Sequence, residues 1–241
     1  MKDIRVIILA GGKGTRLRPY TTVFPKPLMP IGEMPILEIV LRQLKFFGFK
    51  KITLSVNHLA DLIQAFFKDG SKLGLDISYC IEDRPLGTAG SISLVEDITE
   101  PFLVMNGDLL TTIDYTALIK SHMKSYATAT IAVISRKIEI DYGTLQIGNK
   151  SELIAYQEKP TLEYMVSMGL NVLSKECLKF IPKSQYLDIP MLMNKLMNAG
   201  KSVMTFKSEC EWFDIGRPDD YEKAIAEFEK SKNKYLSDMK S

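Results

Sequence analysis

Residues 9–32 read LAGGKGTRLRPYTTVFPKPLMPIG, and they hold the first group of atoms in the chain suited to a phosphate. Gly11, Gly12 and Gly14 follow an apolar run, where glycine lets bare backbone N–H groups close on an anion. Arg16 and Lys26 add two full charges ten residues apart on the same loop. Arginine offers a fixed fork and lysine a point charge, here with its direction restricted by Pro25 and Pro27. The string is neither of two familiar phosphate loops. Leu17 stands where a dinucleotide fingerprint needs its third glycine, and Gly14 follows Lys13 where a P-loop needs Ser or Thr. The plain alternative is a strand-to-helix turn carrying surface cations. It fits any one of these glycines better than it fits the whole string.

The elements around this loop are those of an α/β sheet. Residues 4–10 are a buried strand by their unbroken apolar character, and residues 34–49 carry apolar side chains at helical spacing with Gly48 as a stop. Strands at 51–56, 75–81 and 101–108 alternate with a helix over 58–70, which predicts a doubly wound sheet with right-handed crossovers. Beyond residue 112 the pattern changes. Strand-like runs at 126–135, 143–147, 153–158 and 166–173 lie close together with few helical stretches between them, which predicts an antiparallel or mixed extension. A helix over 187–200, a strand over 201–207 and a helix from Pro218, with Asp219 and Asp220 at its start, complete the pattern. The predicted fold class is α/β, a Rossmann-like mixed sheet. It forms one domain over 1–230, divided near residue 112, with a charged tail over 231–241.

With 241 residues, 46% of them hydrophobic, the chain is long enough for one large domain. A formal net charge of +2 without a basic run gives no reason to expect nucleic acid as a partner. No apolar run approaches the roughly 18 residues of a spanning helix, and no secretory leader is present, so the expectation is a cytoplasmic protein without membrane contact. Cys80, Cys177 and Cys210 have neither disulfide nor zinc spacing. His58 and His122 are too few for a histidine metal cluster and read as surface residues on helices. Trp212 reads as core, and the methionine-rich stretch 191–197 as core or a subunit interface, leaving a homo-oligomer open.

Several motifs follow in order: PLGTAG (85–90), NGD (106–108), YG (142–143), EKP (158–160) and DIGRPDDY (214–221). Together with the opening loop they resemble the signature of the sugar-1-phosphate nucleotidylyltransferases, and the resemblance covers nearly the whole chain. It implies a nucleotidyltransferase fold, and a reaction in which a nucleoside triphosphate and a sugar 1-phosphate give a nucleotide sugar and pyrophosphate. The nucleophile, a phosphate oxygen, is already ionised at neutral pH, so no general base is needed, and the work is positioning and charge stabilisation.

The same resemblance implies the roles of individual residues. Asp108 and Asp214 would be ligands of Mg²⁺, although the first fits a strand-end turn and the second a helix cap as well. Arg16 would contact the leaving pyrophosphate and Lys26 the reacting α-phosphate. Leu9, Ala10, Gly11, Gly12, Gly14, Thr15, Pro85, Gly87, Thr88 and Ala89 would surround the nucleotide. Asn106, Gly143, Glu158 and Lys159 would bind the sugar phosphate, together with Ser167, Gly169 and Asn171. The last three mark a departure, because many relatives have Asn-Ala-Gly-Ile-Tyr where this chain has Ser167-Met168-Gly169-Leu170-Asn171.

Glu82 stands just before PLGTAG, and a carboxylate can accept two hydrogen bonds from guanine. That favours GTP and a manno-configured sugar phosphate, with a uridylyl- or thymidylyltransferase acting on a glucose-type phosphate as the alternative. Glu82 could equally face solvent. A cytidylyltransferase for a phosphorylated alcohol shares the fold. A non-catalytic regulatory or binding subunit is disfavoured because the charged residues are all retained. The chain is also expected to lack the C-terminal β-helix that many relatives carry, and with it any acyltransferase activity.

Overall fold

The computed structural model describes residues 1–236. The first part contains β1 (Arg5–Leu9), a short hairpin of β2 (Pro30–Ile31) and β3 (Met34–Pro35), α1 (Ile36–Phe46) and β4 (Lys51–Val56). It continues through α2 (Ala60–Phe67), β5 (Asp76–Ile81), α3 (Gly87–Gly90) and β6 (Phe102–Asn106). The second part runs β7 (Leu109–Thr111), α4 (Tyr115–Ser125), β8 (Ala129–Glu139), β9 (Thr144–Ile147), β10 (Leu153–Gln157) and β11 (Thr161–Leu173). It closes with α5 (Ile189–Asn198), β12 (Val203–Lys207), β13 (Trp212–Asp214) and α6 (Pro218–Tyr235).

Seven strands form the central sheet in the order β12-β8-β11-β6-β1-β4-β5. The pairs β6-β1, β1-β4 and β4-β5 are parallel, whereas β11 runs antiparallel to both β6 and β8. The sheet is therefore mixed, and the antiparallel insertion begins after residue 112 as the sequence predicts.

Strand alternation divides the core between two faces. Val6 and Ile8 pack with Leu37, Leu41 and Leu44 of α1 and with Ile63 of α2 on one side. Ile7 and Val104 pack with Leu192 and Leu196 of α5 on the other. A third cluster joins Ile31, Ile36 and Leu110 to Phe228 and Tyr235 of α6.

Three expectations need correction. Helix α4, which a strand-dominated reading of this region passes over, begins at Asp114, whose carboxylate accepts the Ala117 N–H at 2.9 Å. His122 on that helix is only 3% exposed rather than a surface residue: its Nδ1 lies 2.9 Å from Thr130 Oγ1 and its Nε2 3.3 Å from Ser174 Oγ. The supposed tail from 231 is instead helical to Tyr235 beyond a kink at Ser231, and Tyr235 and Leu236 are buried in the third cluster. Residues 237–241 of that tail lie outside the described residues.

The architecture has one feature that matters for the site. Strand β11 is 13 residues long, and its two halves differ. Leu170–Leu173 pair with β6, and Asn171–Leu173 also with β8, in the sheet interior, while Thr161–Ser167 pair with β8 alone. The register shifts between Ser167 and Asn171, at Gly169, whose φ of 75° is open to glycine at little cost. The outer half projects from the sheet beside the β9–β10 hairpin, in which every residue of β10 is exposed.

Candidate active site

The carboxyl ends of β1, β4 and β6 open onto a cleft of about 290 Å³. Open α/β sheets bind ligands at this end, where strands stop and loops diverge. Leu9, Ala10, Gly11 and Gly12 line the cleft, together with Lys26, Glu82, Pro85, Gly87, Thr88, Asn106 and Asp108. These eleven come from the opening loop, PLGTAG and NGD, with Glu82 just before PLGTAG, and the fold brings them to one place.

The glycines of the opening loop serve different ends. A Cβ on Gly12 would meet nothing within 4 Å, so its backbone faces open space in which an anion can approach. Gly14 has a φ of 58°, and a Cβ there would strike Thr21 Cγ2 at 2.9 Å. Its carbonyl accepts the Thr21 hydroxyl at 2.7 Å, which closes the loop on itself. Gly14 and Thr15 therefore shape the loop from outside the cleft lining.

Lys26 is 9% exposed, and its ammonium donates to Asp108 Oδ2. The other oxygen of that carboxylate, Oδ1, is buried without a hydrogen-bond partner. Strand β13 runs antiparallel to β7, which sets Asp214 opposite Leu109, and Ile215 N–H donates to the Asp108 carbonyl at 3.2 Å. Burial first, and then the Asp108 carboxylate, push the Asp214 carboxyl above its ordinary range, with Lys26 and Arg16 opposing them. Two crowded carboxylates, one with an orphaned oxygen, form a donor set suited to a hard divalent cation. Among the described residues no cluster of three or more His, Cys, Asp and Glu accompanies them, so further ligands would be phosphate oxygens and water.

Arg16 is exposed but not adrift. Its guanidinium packs on the backbone of Gly216, where an added Cβ would lie 3.1 Å from Nη2. The turn after β13 thus places Arg16 near Asp214. That carboxylate also borders a second cleft, of about 310 Å³, between Arg136, Trp212 and Lys223. Arg136 stacks over the Trp212 ring at 5.0 Å from its centroid and donates to the Trp212 carbonyl. Trp212 is half-buried, its indole N–H donating to the Met168 carbonyl at 2.9 Å.

Glu82 is held by both oxygens: Ser55 Oγ donates to Oε1 and Leu86 N–H to Oε2, each at 2.9 Å. It points at neither solvent nor an arbitrary rotamer, and each oxygen keeps a lone pair for the cleft. Asn57 donates to the Glu82 carbonyl at 2.6 Å. Ser55, Asn57, Pro27 and Ser91 also line the cleft; Pro27 was read from the sequence only as a restraint on Lys26, and the other three were not singled out. The signal for the first two was present: Ser55 and Asn57 bracket the carboxyl end of an apolar strand.

Other predicted residues are placed elsewhere. Ala89 is 0% exposed and belongs to the core below α3, so it does not touch the cleft. Asn171 is 3% exposed within the sheet, between Val104 and Ile131, with Oδ1 unpartnered, and is no surface contact for a sugar. Strand alternation turns it to the same face as Leu173. Ser167 and Gly169 shape the bulge, with Gly169 N–H donating to Ser167 Oγ at 3.3 Å. A Cβ on Gly169 would meet Asn106 Nδ2 at 2.7 Å. Glu158 and Lys159 are exposed at the end of β10, where the Tyr156 hydroxyl donates to Glu158 Oε2 at 3.0 Å. Lys159 has a φ of 43°, and a Cβ on Gly143 would lie 2.4 Å from Tyr156 Oη. Gly143 thus makes room for the tyrosine that holds Glu158.

Comparison with known proteins agrees with the geometry. Residues 5–231 match the family described as nucleotidyl transferase, and the chain belongs to that family. It is 33% identical over 242 residues to a UTP–glucose-1-phosphate uridylyltransferase of Synechocystis, a match covering 92% of this chain and 62% of that protein. It is 32% identical over 237 residues to the D-glycero-alpha-D-manno-heptose 1-phosphate guanylyltransferase of Aneurinibacillus thermoaerophilus, covering 94% and 99% respectively. The crystal structure of HddC from Yersinia pseudotuberculosis in complex with GMP-PN superposes with a TM-score of 0.72 at 27% identity, over 93% of this chain and 99% of that one. The chain thus spans less than two thirds of the length of the Synechocystis relative and almost the full length of the heptose enzyme.

Proposed function

We propose that the chain is a sugar-1-phosphate nucleotidyltransferase, using GTP with a manno-configured 1-phosphate of mannose or heptose type. The observation that carries this reading is the convergence of Lys26, Asp108 and Asp214 at the edge of a cleft floored by the glycine loop. An ionised oxygen of the sugar phosphate attacks the α-phosphorus, forming the new P–O bond as the bond to pyrophosphate breaks. Both substrates bring their own charge, so the protein neutralises and aligns them rather than moving a proton.

Lys26, buried and with its direction fixed, sets a positive charge where the α-phosphate lies. Arg16, braced on Gly216, faces the leaving pyrophosphate. Asp108 and Asp214 would hold Mg²⁺, which supplies charge neutralisation to the phosphate oxygens when bound. Glu158 and Lys159 receive the sugar phosphate from the far side. In this reading residues 1–112 mainly bind the nucleotide and 113–230 mainly the sugar.

Glu82, with a fixed carboxylate in the cleft, supports guanine, and the guanylyltransferase names of several relatives point the same way. A second reading, uridylyl transfer to a glucose-type phosphate, is supported by the identity to the Synechocystis uridylyltransferase. A matrix of GTP, UTP, dTTP and CTP against mannose, heptose and glucose 1-phosphates, read as released pyrophosphate with Mg²⁺ present, separates them. Preference for GTP with a manno-configured partner is the expected outcome. Preference for UTP with glucose 1-phosphate establishes the second reading, and no pyrophosphate from any pair defeats both.

A further inference from the structure

The PLGTAG loop is expected to use its glycines to lie close to a nucleotide. The structure gives two of them another reason. Gly87 has a φ of 77°, and a Cβ there would lie 2.7 Å from the Leu187 carbonyl oxygen and 2.8 Å from Asp188 Oδ1. A Cβ on Gly90 would lie 2.4 Å from the Gln185 carbonyl oxygen. Both glycines make room for a segment about a hundred residues later in the chain.

That segment, 184–189, is bonded to the loop along its length. Ala89 N–H and Gly90 N–H both donate to the Leu187 carbonyl at 2.8 Å, and Leu187 N–H returns a bond to the Leu86 carbonyl at 2.8 Å. Asp188 Oδ1 accepts from Thr88 N–H at 3.0 Å and from Thr88 Oγ1 at 3.2 Å. Ile189 N–H donates to the same Thr88 hydroxyl at 2.8 Å. The other oxygen of Asp188 accepts from the Tyr186 hydroxyl at 2.5 Å, which fixes the carboxylate plane. The loop therefore lies between the cleft, which Pro85, Gly87 and Thr88 line, and the 184–189 segment, to which Leu86 and residues 88–90 are bonded.

We infer that Asp188 is a positioning residue for the nucleotide: the 184–189 segment, through Asp188 and the Leu187 backbone, fixes the loop in the conformation that receives the base. The inference rests on the nucleotidyltransferase reading above. It assigns to a segment outside every recognised motif the task of pre-ordering the base pocket, which lowers the entropy lost when the nucleotide binds. Asp188 itself touches no substrate and acts through Thr88.

Three variants test this. Asp188→Ala removes the acceptor of two bonds, Gly90→Ala forces the seam apart from the loop side, and Asp188→Asn keeps Oδ1 as an acceptor. Titration of each protein with GTP, UTP and dTTP, and separately with mannose 1-phosphate and glucose 1-phosphate, measures the two affinities. In parallel, amide hydrogen exchange without ligand reads Thr88, Ala89 and Gly90.

The expected result is that Asp188→Ala and Gly90→Ala speed exchange at these amides and weaken the preferred nucleotide by about tenfold, the loss of one to two net hydrogen bonds. Sugar phosphate affinity stays within about twofold of wild type, below the tenfold step that 1.4 kcal/mol represents, and Asp188→Asn restores most of the nucleotide affinity. Faster exchange with unchanged nucleotide affinity overturns the inference, as does an equal loss of both ligands. Unchanged exchange in both disrupted variants overturns it too, whatever the ligands do. A wild type that binds none of the three nucleotides, while exchange responds as expected, defeats the nucleotidyltransferase reading and the positioning role that depends on it.

Discussion

The two halves of the site are built by opposite means. On the proposed nucleotide side three predicted groups are held: Lys26 by Asp108, Glu82 by Ser55 and Leu86, and the PLGTAG loop by the 184–189 segment. On the sugar side Glu158 and Lys159 stand exposed on a hairpin whose second strand has no buried residue. A rigid pocket can be selective and fast to fill, whereas an exposed arm must lose conformational freedom before it contributes. On the proposed reading, the contrast sets a nucleotide site ordered before its ligand against a sugar site that must be ordered by its own.

Asp108→Asn tests the contrast most severely. It keeps the fold but removes the charge at the orphaned oxygen, so pyrophosphate release should fall on the order of 10³-fold with an unchanged far-ultraviolet spectrum. Lys26→Ala should lower kcat about 10²-fold and change nucleotide affinity far less, because its charge counts most when charge develops in the transition state. An effect confined to KM would place Lys26 in ground-state binding.

Lys159→Ala should raise KM for the sugar phosphate about tenfold and leave the nucleotide KM in place. A matching rise in both would join the halves that the proposed reading separates. Glu82→Gln should reduce the preference for GTP over UTP, by about tenfold for a lost charge-assisted hydrogen bond. A ratio that does not move would make Glu82 a brace for the loop.

The smallest effect concerns the scaffold between the halves. Burial lowers the pKa of His122 below its usual 6.5, against a weaker upward pull from Glu100. The folded state therefore holds the proton less tightly than the unfolded chain. The contribution is neutral above about 6.5, and stability is lost as pH falls below that value and the unfolded chain charges. Tm should decline between pH 7 and pH 5, and more shallowly in His122→Asn, which keeps a polar side chain without the titrating ring.

The parallel half of the fold was legible because its strands are apolar without interruption and its glycines mark the turns. Residues 51–56 form a strand with the bounds their composition predicts. The α4 helix was obscured because His122 occupies the position where the buried stripe of Tyr115, Leu118 and Ile119 continues. Ala89 and Asn171 were assigned to the site by their motif neighbours, yet side-chain direction within an element decides contact, and both turn into the interior. Asp188 carried no signal of its own. Its significance lies in a partner about a hundred positions away, and no local pattern reports a contact of that span.

Strand β11 has one more implication. Its inner four residues serve the central sheet, and its outer seven lean on β8 alone, with the hinge of register at Gly169. The ladder that holds β6 and β1 is therefore indifferent to what lies between 139 and 165. A change in the length or sequence of that arm therefore meets one neighbouring strand rather than two. On the proposed reading, a redrafted appendage would alter the sugar accepted while the triphosphate-facing loops stay as they are.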